Sequence, residues 1–486
     1  MIIKNKKDEI LNYLEDTSNI KGSSSILYLP QSREEILEAV KECVSRKVSF
    51  TVSAGRTGTT GGCVCFQGAI ISVENLTNIL NIDKDKKNIE LESGVLLENL
   101  EKEANKYNLS LRAVPTESLA CIGGAISTGA SGVRGFGYGS IRSYVMEIEV
   151  CLTTGDIIRI KRGEIKADKR NFNFENNGKK FKFELPTYNI PKVKSQAGYF
   201  IKDDMDLIDL FIGSEGTLGI ILSCKISLQK SPVNIFDGLV FFKKENNALN
   251  FINEIKNLKR NHLLFPSSLE FMDRYSLDML KPEYSFIPQA EAVVYFEQEV
   301  EGKNDYGGLI DKWQKLIKVN GASIDESIIA DTPREREKIY EFRHKLPQMI
   351  NEFLRQNNRI KASTDIAVPW KNFEQMYFFY KEQAKQSGLN YVNFGHIGES
   401  HLHFNFLAEN DQESLKAKAY MQTFCRKAVS LGGTVSAEHG IGKLKKPYLK
   451  IMYKEEDIKS MANLKKIFDP NCLLGLDNIF EKELLL

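Results

Sequence analysis

The chain has 486 residues, of which 42% are hydrophobic and 27% charged, so its length and composition allow the buried cores of about three domains. Lysine and arginine total 66 against 64 for aspartate and glutamate, and the formal net charge of +2 excludes a global field directed at nucleic acid or at an anionic membrane. An acidic substrate must therefore be recognised locally.

The N-terminal segment and the cysteines indicate a reducing compartment. Residues 1–9 include basic side chains without an apolar stretch after them, and no uncharged apolar run approaches membrane-spanning length. The eight cysteines are scattered without a C-x-x-C pair, which argues against a zinc or iron–sulfur site built on them. We expect a cytoplasmic protein without a transmembrane segment, compatible with a peripheral position at the inner face of the membrane and with a homodimer.

The first predicted elements are a helix and two strands. Residues 32–35 form a capping box ahead of a helical apolar stripe that ends near Lys47. Residues 49–52 and 69–73 are predicted strands, and the glycine-rich residues 54–62 lie between them. Backbone N–H groups of such a loop can bind phosphate oxygens, but a glycine-rich bend is commonly only a turn. The loop matches neither the P-loop nor the G-x-G-x-x-G dinucleotide motif.

Two further loops of small residues follow the first. They cover residues 115–140 and 213–219, and small residues let a cofactor approach the backbone closely. Between these loops, residues 147–152 and 157–160 are predicted to form a hairpin. Residues 161–194 are basic, polar and less patterned, and we expect an extended surface excursion there.

After residue 228 the pattern changes to alternating helices and strands. We predict helices over residues 248–260 and around 309–317, a strand over 292–296, and a long helix over 333–357 that Pro347 interrupts and kinks. This pattern is typical of an α+β unit in which antiparallel strands are backed by helices. A last helix is predicted around residues 458–468.

Histidines are concentrated near residue 400. His396, His401 and His403 lie within eight residues, and His439 follows Glu438 further along the chain. His401 and His403 are two apart in an alternating run, so their imidazoles should emerge on one face of a strand. Neutral imidazoles with one carboxylate suit zinc, manganese or iron. The alternative is a set of strand-end histidines hydrogen-bonded to the backbone.

Taken in order, these motifs resemble those of a flavoprotein family. The three loops are similar to the flavin-contacting segments of the vanillyl-alcohol oxidase/PCMH-type FAD domain, and the histidine elements resemble the C-terminal half of its D-lactate, glycolate and D-2-hydroxyglutarate dehydrogenase branch. The resemblance implies an α+β fold with a PCMH-type FAD-binding domain of two α+β subdomains (1–228). It further implies a substrate or cap domain with an antiparallel sheet (229–435) and a C-terminal segment (436–486) that completes the active site and packs back on the FAD domain.

The resemblance implies FAD bound to the three loops. We expect this FAD to be non-covalent, because no histidine precedes His262 and the cysteines near the loops show no attachment pattern. Arg56 stands where a run of glycines is usual in the family. The implied FAD contacts are Gly55, Arg56, Thr57, Gly58, Thr59, Thr60, Gly61, Pro115, Ile122, Gly123, Gly124, Ser127, Thr128, Ser131, Gly132, Glu215, Gly219 and Ile220.

The resemblance also implies a divalent metal and a catalytic base. His396, His403 and Glu438 match the family's metal ligands, and His439 matches its general base. Glu438 and His439 are adjacent in sequence, and we expect their side chains to point in different directions. His401 stands where the family commonly has asparagine.

Three residues are expected to contact the substrate. Arg343 matches an arginine that clamps the substrate carboxylate, and the alternative for it is a surface salt bridge on a charged helix. His401 and Lys361 are further expected contacts.

The implied reaction is the FAD- and divalent-metal-dependent oxidation of a small D-2-hydroxyacid by hydride transfer to flavin. D-Lactate is favoured, then glycolate or D-2-hydroxyglutarate. Electrons would pass on to a quinone, a cytochrome, an electron-transfer flavoprotein or an iron–sulfur subunit. The alternative is a flavoprotein electron-transfer subunit that works only within a larger complex with an iron–sulfur partner.

Overall fold

A computed structural model describes residues 1–260, 264–300, 306–359 and 361–485. The strands are β1 (Ile2–Lys4), β2 (Ile26–Leu29), β3 (Phe50–Ser53), β4 (Ala69–Ser72), β5 (Ile79–Asp83), β6 (Asn88–Glu92), β7 (Leu109–Ser110), β8 (Val145–Cys151), β9 (Ile157–Lys161), β10 (Asn171–Asn176), β11 (Lys179–Glu184), β12 (Ile220–Ser227), β13 (Gln229–Lys230), β14 (Asn234–Phe242), β15 (Pro266–Asp273), β16 (Ala292–Val300), β17 (Ile328–Ala330), β18 (Ala362–Ser363), β19 (Ile366–Ala367), β20 (Tyr391–Gly395) and β21 (His401–Phe406). The helices are α1 (Lys7–Ile10), α2 (Arg33–Ser45), α3 (Leu97–Asn105), α4 (Ile122–Thr128), α5 (Gly135–Tyr138), α6 (Leu207–Phe211), α7 (Glu245–Arg260), α8 (Arg274–Leu280), α9 (Tyr306–Val319), α10 (Pro333–Gln356), α11 (Phe373–Ser387), α12 (Asp411–Ser430), α13 (Lys446–Met452) and α14 (Glu455–Phe468). None of the helices in these four ranges is long and apolar enough to cross a membrane.

The described chain forms two compact units. Unit 1 comprises Met1–Gly132, Ser140–Lys230 and Thr434–Leu486, and unit 2 comprises Val133–Gly139 and Ser231–Gly433. The C-terminal segment therefore belongs to the same unit as the glycine-rich loops. The short segment Val133–Gly139 belongs to unit 2, although the sequence contains no sign that it leaves the first unit.

Unit 1 contains a small mixed sheet that packs against α2. Its strand order is β1-β2-β4-β3. Strand β4 runs parallel to both of its neighbours, β2 and β3, whereas β1 runs antiparallel to β2. The predicted cap is confirmed, because the Ser32 side chain accepts a hydrogen bond from the N–H of Glu35. The carboxylate of Glu35 accepts from the N–H of Gln31 instead of completing the box. The predicted apolar stripe of α2 is buried, and it consists of Ile36, Ala39, Val40 and Cys43.

A second sheet of unit 1 is antiparallel. Its order among the described strands is β5-β6-β12-β8-β9. The predicted hairpin is confirmed as β8 and β9, in which Val150 pairs with Ile158. The central strand β12 begins at Ile220, directly after the third loop, so this sheet sets the position of that loop.

The expectation of an unpatterned excursion over residues 161–194 is wrong in part. Strands β10 and β11 form an antiparallel hairpin in which Phe172 pairs with Phe183 and Phe174 with Phe181. The rings of Phe174 and Phe181 stack with centroids 4.9 Å apart, and the ring of Phe183 meets that of Phe468 edge-on at 5.5 Å. Cross-strand aromatic pairs stabilise such a ribbon. The alternating phenylalanines were a period-two signal that the surrounding polar residues obscured.

Unit 2 is built on a large antiparallel sheet backed by helices. The described strands follow the order β17-β14-β16-β15-β20-β21-β18, and β19 also pairs with β21. The predicted helices and strand are confirmed as α7, α9 and β16. Helix α10 continues through Pro347, so the predicted interruption there is wrong. The face that α10 buries consists of Ile339, Phe342, Arg343, Leu346, Ile350 and Leu354.

Candidate functional site

The three glycine-rich loops meet within unit 1. The N–H of Gly213 donates to the carbonyl of Ile126 at 3.0 Å, and the N–H of Glu215 donates to that of Ser127 at 2.7 Å, which joins the third loop to α4. A Cβ at Gly55 would lie 2.8 Å from the carbonyl oxygen of Leu119, so the first loop presses against the second. Segments far apart in sequence thus form one region.

The glycines of these loops test whether the region can hold FAD. Among the described residues, and apart from each glycine's own chain neighbours and helix backbone, a Cβ at Gly58 or Gly124 would meet no atom closer than 3.7 Å, and one at Gly62 would meet none within 4 Å. At Gly123 and Gly219 a Cβ would lie 2.6 and 2.4 Å from protein atoms, so packing alone requires glycine there. Gly58, Gly62 and Gly124 therefore leave bare backbone beside open space, which fits the close approach of a dinucleotide cofactor.

Arg56 is held by protein groups of the first loop. Its Nη1 donates to the carbonyl of Ala54 at 3.0 Å and to Glu74 Oε2 at 2.9 Å, and its guanidinium lies 4.4 Å from the ring centroid of Tyr13. Its backbone is left-handed, with φ of 58°. Arg56 therefore shapes the loop, and its contact with FAD stays a prediction.

The segment that carries Glu438 and His439 is attached to the first two loops. The Thr60 hydroxyl donates to the carbonyl of His439 at 3.3 Å, and the Ser131 hydroxyl donates to Glu438 Oε2 at 3.2 Å. Within unit 1, hydroxyl side chains of the first two loops thus bind the segment that carries His439, the base expected from the sequence.

The third loop holds the same segment through Glu215. Its two carboxylate oxygens accept the N–H groups of Ile441 at 2.7 Å and Gly442 at 2.6 Å. Burial raises the pKa of Glu215 to about 7, against the opposing effect of these two hydrogen bonds and nearby lysines. At Gly440, where φ is 73°, a Cβ would lie 2.8 Å from the Glu215 carboxyl carbon, so glycine is required there.

Glu438 is a buried carboxylate with several partners. Its Oε2 lies 2.7 Å from Lys194 Nζ, and its Oε1 lies 3.5 Å from His439 Nε2. The two adjacent side chains approach each other, so the expectation that they diverge is wrong. The His439 side chain is 34% exposed, which leaves its ring accessible for proton exchange.

The histidine cluster of unit 2 lies where β20 turns into β21. Gly395 ends β20 with φ of 130°, and a Cβ there would lie 2.9 Å from the ring of His403, so the turn requires glycine. Strand pairing sets Phe394 opposite His403. The ring centroids of His401 and His403 are 4.5 Å apart, and that of His396 lies 5.4 and 5.5 Å from them. The predicted emergence on one face is confirmed.

Glu270 connects His396 to Arg343. Glu270 lies on β15, which pairs antiparallel with β20 so that Phe271 is opposite Gly395. Glu270 precedes Phe271 and His396 follows Gly395, so the antiparallel register brings Glu270 and His396 together. Nδ1 of His396 donates to Glu270 Oε1 at 2.5 Å, and Nε and Nη2 of Arg343 lie 2.9 and 2.8 Å from Oε2. Burial opposes ionisation of Glu270, but attraction to Arg343 and His396 outweighs it and holds its pKa well below the usual range. Arg343 is buried, so the alternative of a surface salt bridge is wrong.

The other two imidazoles lie against the segment between β18 and β19. Nε2 of His401 lies 2.9 Å from Oδ1 of Asp365, and both residues are fully buried. Nδ1 of His403 donates to the Thr364 carbonyl at 3.3 Å, which is a backbone bond of the kind that the alternative describes. The Thr364 hydroxyl is itself bonded to the backbone of β21. Lys361 immediately precedes β18 and is half-buried.

The donor chemistry of this cluster fits a divalent transition metal. One ligand nitrogen from each of the three histidines lies within 4.8 Å of the others. Ligating histidines commonly donate their second ring N–H to a carboxylate or carbonyl, as His396 and His403 do here. With Nδ1 donating in this way, Nε2 of each ring is the nitrogen that could ligate an ion.

Sequence reasoning missed three charged partners that are buried or largely buried. Glu270, Asp365 and Lys194 belong to no motif and were not predicted to have a role. Glu270 carried one signal, because an acid between Leu269 and Phe271 in an apolar strand is unusual. Lys194 lies in the region that looked unpatterned, and nothing in its neighbours marks it.

Comparison with known proteins decides the family. Residues 24–161 match the FAD binding domain, and residues 237–476 match the C-terminal domain of FAD linked oxidases. The chain belongs to the FAD linked oxidases. The PCMH-type α+β fold and the FAD-binding domain expected from the sequence are thereby confirmed.

Relatives of this oxidase match along nearly the whole chain. The D-lactate dehydrogenase of Anaerostipes hadrus is 27% identical over 478 residues, which cover 95% of this chain and 90% of that protein. The glycolate oxidase subunit GlcD of Bacillus subtilis is 27% identical over 96% of this chain and 91% of its own. The probable mitochondrial D-2-hydroxyglutarate dehydrogenase of Oryza sativa subsp. japonica is 26% identical over 96% and 77%.

A solved structure of an alkyldihydroxyacetonephosphate synthase shares the fold. It superposes with a TM-score of 0.67 at 16% identity and covers 97% of this chain and 81% of that chain. At this identity the match supports the architecture alone.

Proposed function

We propose that the chain oxidises a D-2-hydroxyacid to the 2-oxoacid, with D-lactate favoured over glycolate and D-2-hydroxyglutarate. The observation that carries the proposal is the attachment of the Glu438-His439 segment to all three FAD loops of unit 1. A candidate base is thus built into the cofactor domain itself. The names of the relatives, which act on D-lactate, glycolate and D-2-hydroxyglutarate, support this substrate class.

FAD and a divalent metal are the proposed cofactors. The three loops would hold FAD non-covalently, and His396, His403 and Glu438 would hold zinc, manganese or iron. When bound, FAD supplies a two-electron acceptor for C2 of the substrate, and the metal supplies Lewis acidity toward the C2 hydroxyl.

His439 is the proposed general base. In its neutral form it accepts the C2 hydroxyl proton at a ring nitrogen while the hydrogen of C2 leaves with its electron pair. The Thr60 hydroxyl bonds its carbonyl, and Glu438 lies beside its Nε2, so both its backbone and its ring are positioned. Its partial exposure lets the proton pass to water afterwards.

Arg343 is proposed to bind the substrate carboxylate. Glu270 occupies the edge of the guanidinium formed by Nε and Nη2. Nη1 also lies 3.2 Å from His344 Nε2, and each terminal nitrogen of the guanidinium carries two N–H groups. The second edge, formed by Nη1 and Nη2, is therefore proposed to receive the substrate carboxylate through two parallel hydrogen bonds. Lys361 is a second proposed contact. Because Glu270 binds Nε and Nη2 of Arg343, it fixes the orientation of the guanidinium plane toward the substrate.

The physiological electron acceptor distinguishes the main proposal from its alternative. An enzyme of this kind would pass electrons to a quinone, a cytochrome, an electron-transfer flavoprotein or an iron–sulfur subunit. The name of the Bacillus subtilis relative describes a subunit, which supports the alternative of an electron-transfer flavoprotein inside a larger complex. Under that alternative the isolated chain would not oxidise substrate.

An anaerobic substrate screen tests the proposal. Purified full chain loaded with FAD and zinc or manganese is mixed with D-lactate, glycolate or D-2-hydroxyglutarate, and flavin absorbance is followed. We expect bleaching by a D-2-hydroxyacid and none by the matched control L-lactate. If dithionite bleaches the flavin but none of the 2-hydroxyacids does, the proposal fails. Bleaching by substrate without an added subunit contradicts the electron-transfer alternative.

A further inference from the structure

Unit 2 contains one more clustered imidazole than the family resemblance assigns to the metal. One ligand nitrogen of His401 lies within 4.8 Å of those of His396 and His403. We propose that His401 is a third imidazole ligand, so that these three histidines together bind one divalent ion. The inference rests on the proposed function for the metal itself, and it replaces substrate contact as the role of His401.

The spacing of the nitrogens is compatible with a shared ion. Bonds from zinc to imidazole nitrogen are ~2.0–2.1 Å, so the nitrogens around one tetrahedral zinc lie roughly 3.4 Å apart. Nitrogens within 4.8 Å of one another therefore reach a common ion through small movements of their side chains. Histidines 401 and 403 project from the same strand, which already holds their rings 4.5 Å apart.

The charges around the cluster also favour a cation. Glu270 is balanced by Arg343, which binds it through two nitrogens. Asp365 is 2% exposed and lies 2.9 Å from His401 Nε2. Because a positive partner stabilises a buried carboxylate, a metal ion beside His401 or a protonated His401 would each favour the ionised form of Asp365. The first option is our proposal, and the second is the rival that the experiment separates from it.

A third imidazole would change which metal the protein selects. Imidazole suits zinc, copper, iron and nickel, whereas manganese and magnesium prefer carboxylate, carbonyl and water ligands. His401 stands where asparagine is usual in the family, so this substitution would shift the site toward borderline ions. Because most sites already bind Mn²⁺ more weakly than Zn²⁺, the prediction is that the preference for Zn²⁺ over Mn²⁺ is larger in the parent chain than in His401→Asn.

X-ray absorption of the metal-loaded protein tests the ligand count directly. The full chain is stripped with a chelator, reloaded with one equivalent of Zn²⁺, and its spectrum is fitted for imidazole ligands. We expect three. A fit with two, in a protein that binds zinc, overturns this inference and leaves the proposed function standing. A protein that binds no divalent ion overturns both the inference and the metal requirement of the proposed function.

Variants give a second readout that does not depend on turnover. Zinc affinity is measured by competition with a chelating dye in His401→Asn, Asp365→Asn and the control Asp278→Asn, which removes an exposed carboxylate of α8 outside the cluster. We expect a ~10–100-fold loss for Asp365→Asn, the usual effect of removing an outer partner, and a larger loss for His401→Asn. The control should bind zinc normally.

The rival gives a different pattern in the same measurement. If His401 is a protonated partner of Asp365, zinc affinity in His401→Asn stays within a few-fold of the parent, and that result overturns the inference. FAD content and thermal unfolding show whether each variant is folded. If His401→Asn does not fold, the absorption spectrum of the parent protein still decides the ligand count.

Discussion

His439 shows how a single residue can be positioned through both its backbone and its side chain. Its carbonyl accepts the Thr60 hydroxyl, and its Nε2 lies 3.5 Å from Glu438. These contacts restrict where the imidazole can lie, which favours the proposed role of His439 as a base.

Replacing His439 therefore tests the chemistry rather than the fold. A positioned base contributes ~10²–10⁴-fold, so His439→Asn should slow flavin reduction by about that factor while FAD and metal contents stay normal. The rate of the parent enzyme should rise with pH through a histidine-like ionisation that the variant lacks. Loss of metal combined with a normal rate after reconstitution would show instead that His439 is a ligand or a bystander.

Arg343 combines two tasks, because one edge of its guanidinium binds Glu270 and the other is proposed to bind substrate. Arg343→Lys keeps a charge for Glu270 but loses the second fork. A hydrogen bond to a charged group is worth about 1.5–3 kcal/mol, so KM should rise by roughly 10–150-fold with a smaller change in thermal stability. Unchanged kinetics would assign Arg343 to a structural role beside Glu270.

At the level of elements, the glycines of the FAD loops differ in whether a side chain at their position would meet protein atoms or open space. Gly124 on α4 faces open space, whereas Gly219 presses against Val150 of β8. Gly124→Leu should leave the apoprotein folded, since leucine favours helix, but should lower FAD uptake. The paired variant Gly219→Ala places a Cβ 2.4 Å from Val150 and should lower the melting temperature. Flavin absorbance per protein and thermal unfolding distinguish them, and normal flavin content in Gly124→Leu contradicts the prediction.

The start of α8 provides a pH test of unit 2. Oδ1 of buried Asp273 accepts hydrogen bonds from the Ser276 N–H and hydroxyl and from the Asn393 N–H. Burial raises the pKa of Asp273 from 3.8 to about 7, against the opposing effect of these hydrogen bonds. The native state therefore holds the proton that the unfolded chain releases, and stability falls as pH rises from about 4 to about 7.

Asp273→Asn should remove this part of the pH dependence, because the amide oxygen still accepts hydrogen bonds but does not ionise. The rise of the Asp273 pKa from 3.8 to about 7 corresponds to ~4 kcal/mol of unfolding free energy at most. The melting temperature of the variant, relative to the parent, should thus rise between pH 5 and pH 8. Parallel curves for the two proteins would contradict the assigned titration.

For the whole molecule, the cofactor residues divide between the two units. The residues expected to contact FAD all lie in unit 1, and the three clustered histidines lie in unit 2. His403→Ala should therefore lose metal and turnover yet retain FAD. Elemental analysis and flavin absorbance on the same sample measure both contents, and simultaneous loss of FAD would show that the two sites depend on each other.

Chelation should affect stability as well as activity. A ligand that binds the native state alone stabilises it by RT ln(1 + [L]/Kd), so removing the metal should lower the melting temperature of the parent protein and leave that of His403→Ala unchanged.

The sequence by itself determined the features that depend on neighbouring residues. The capped helix α2, the hairpin of β8 and β9, the glycine-rich loops and the shared face of His401 and His403 all follow from spacing within a few positions. Local backbone geometry produces these features, so a pattern of two or three residues is enough to predict them.

Only the tertiary structure decided which charged groups meet. Glu270 is 73 residues from Arg343 and 126 from His396, and Lys194 is 244 from Glu438. Strand register and packing bring these partners together, and no local sequence pattern encodes the register or the packing. Buried charges are stable only when paired, so the partners that tune this site were set by the fold and not by any motif.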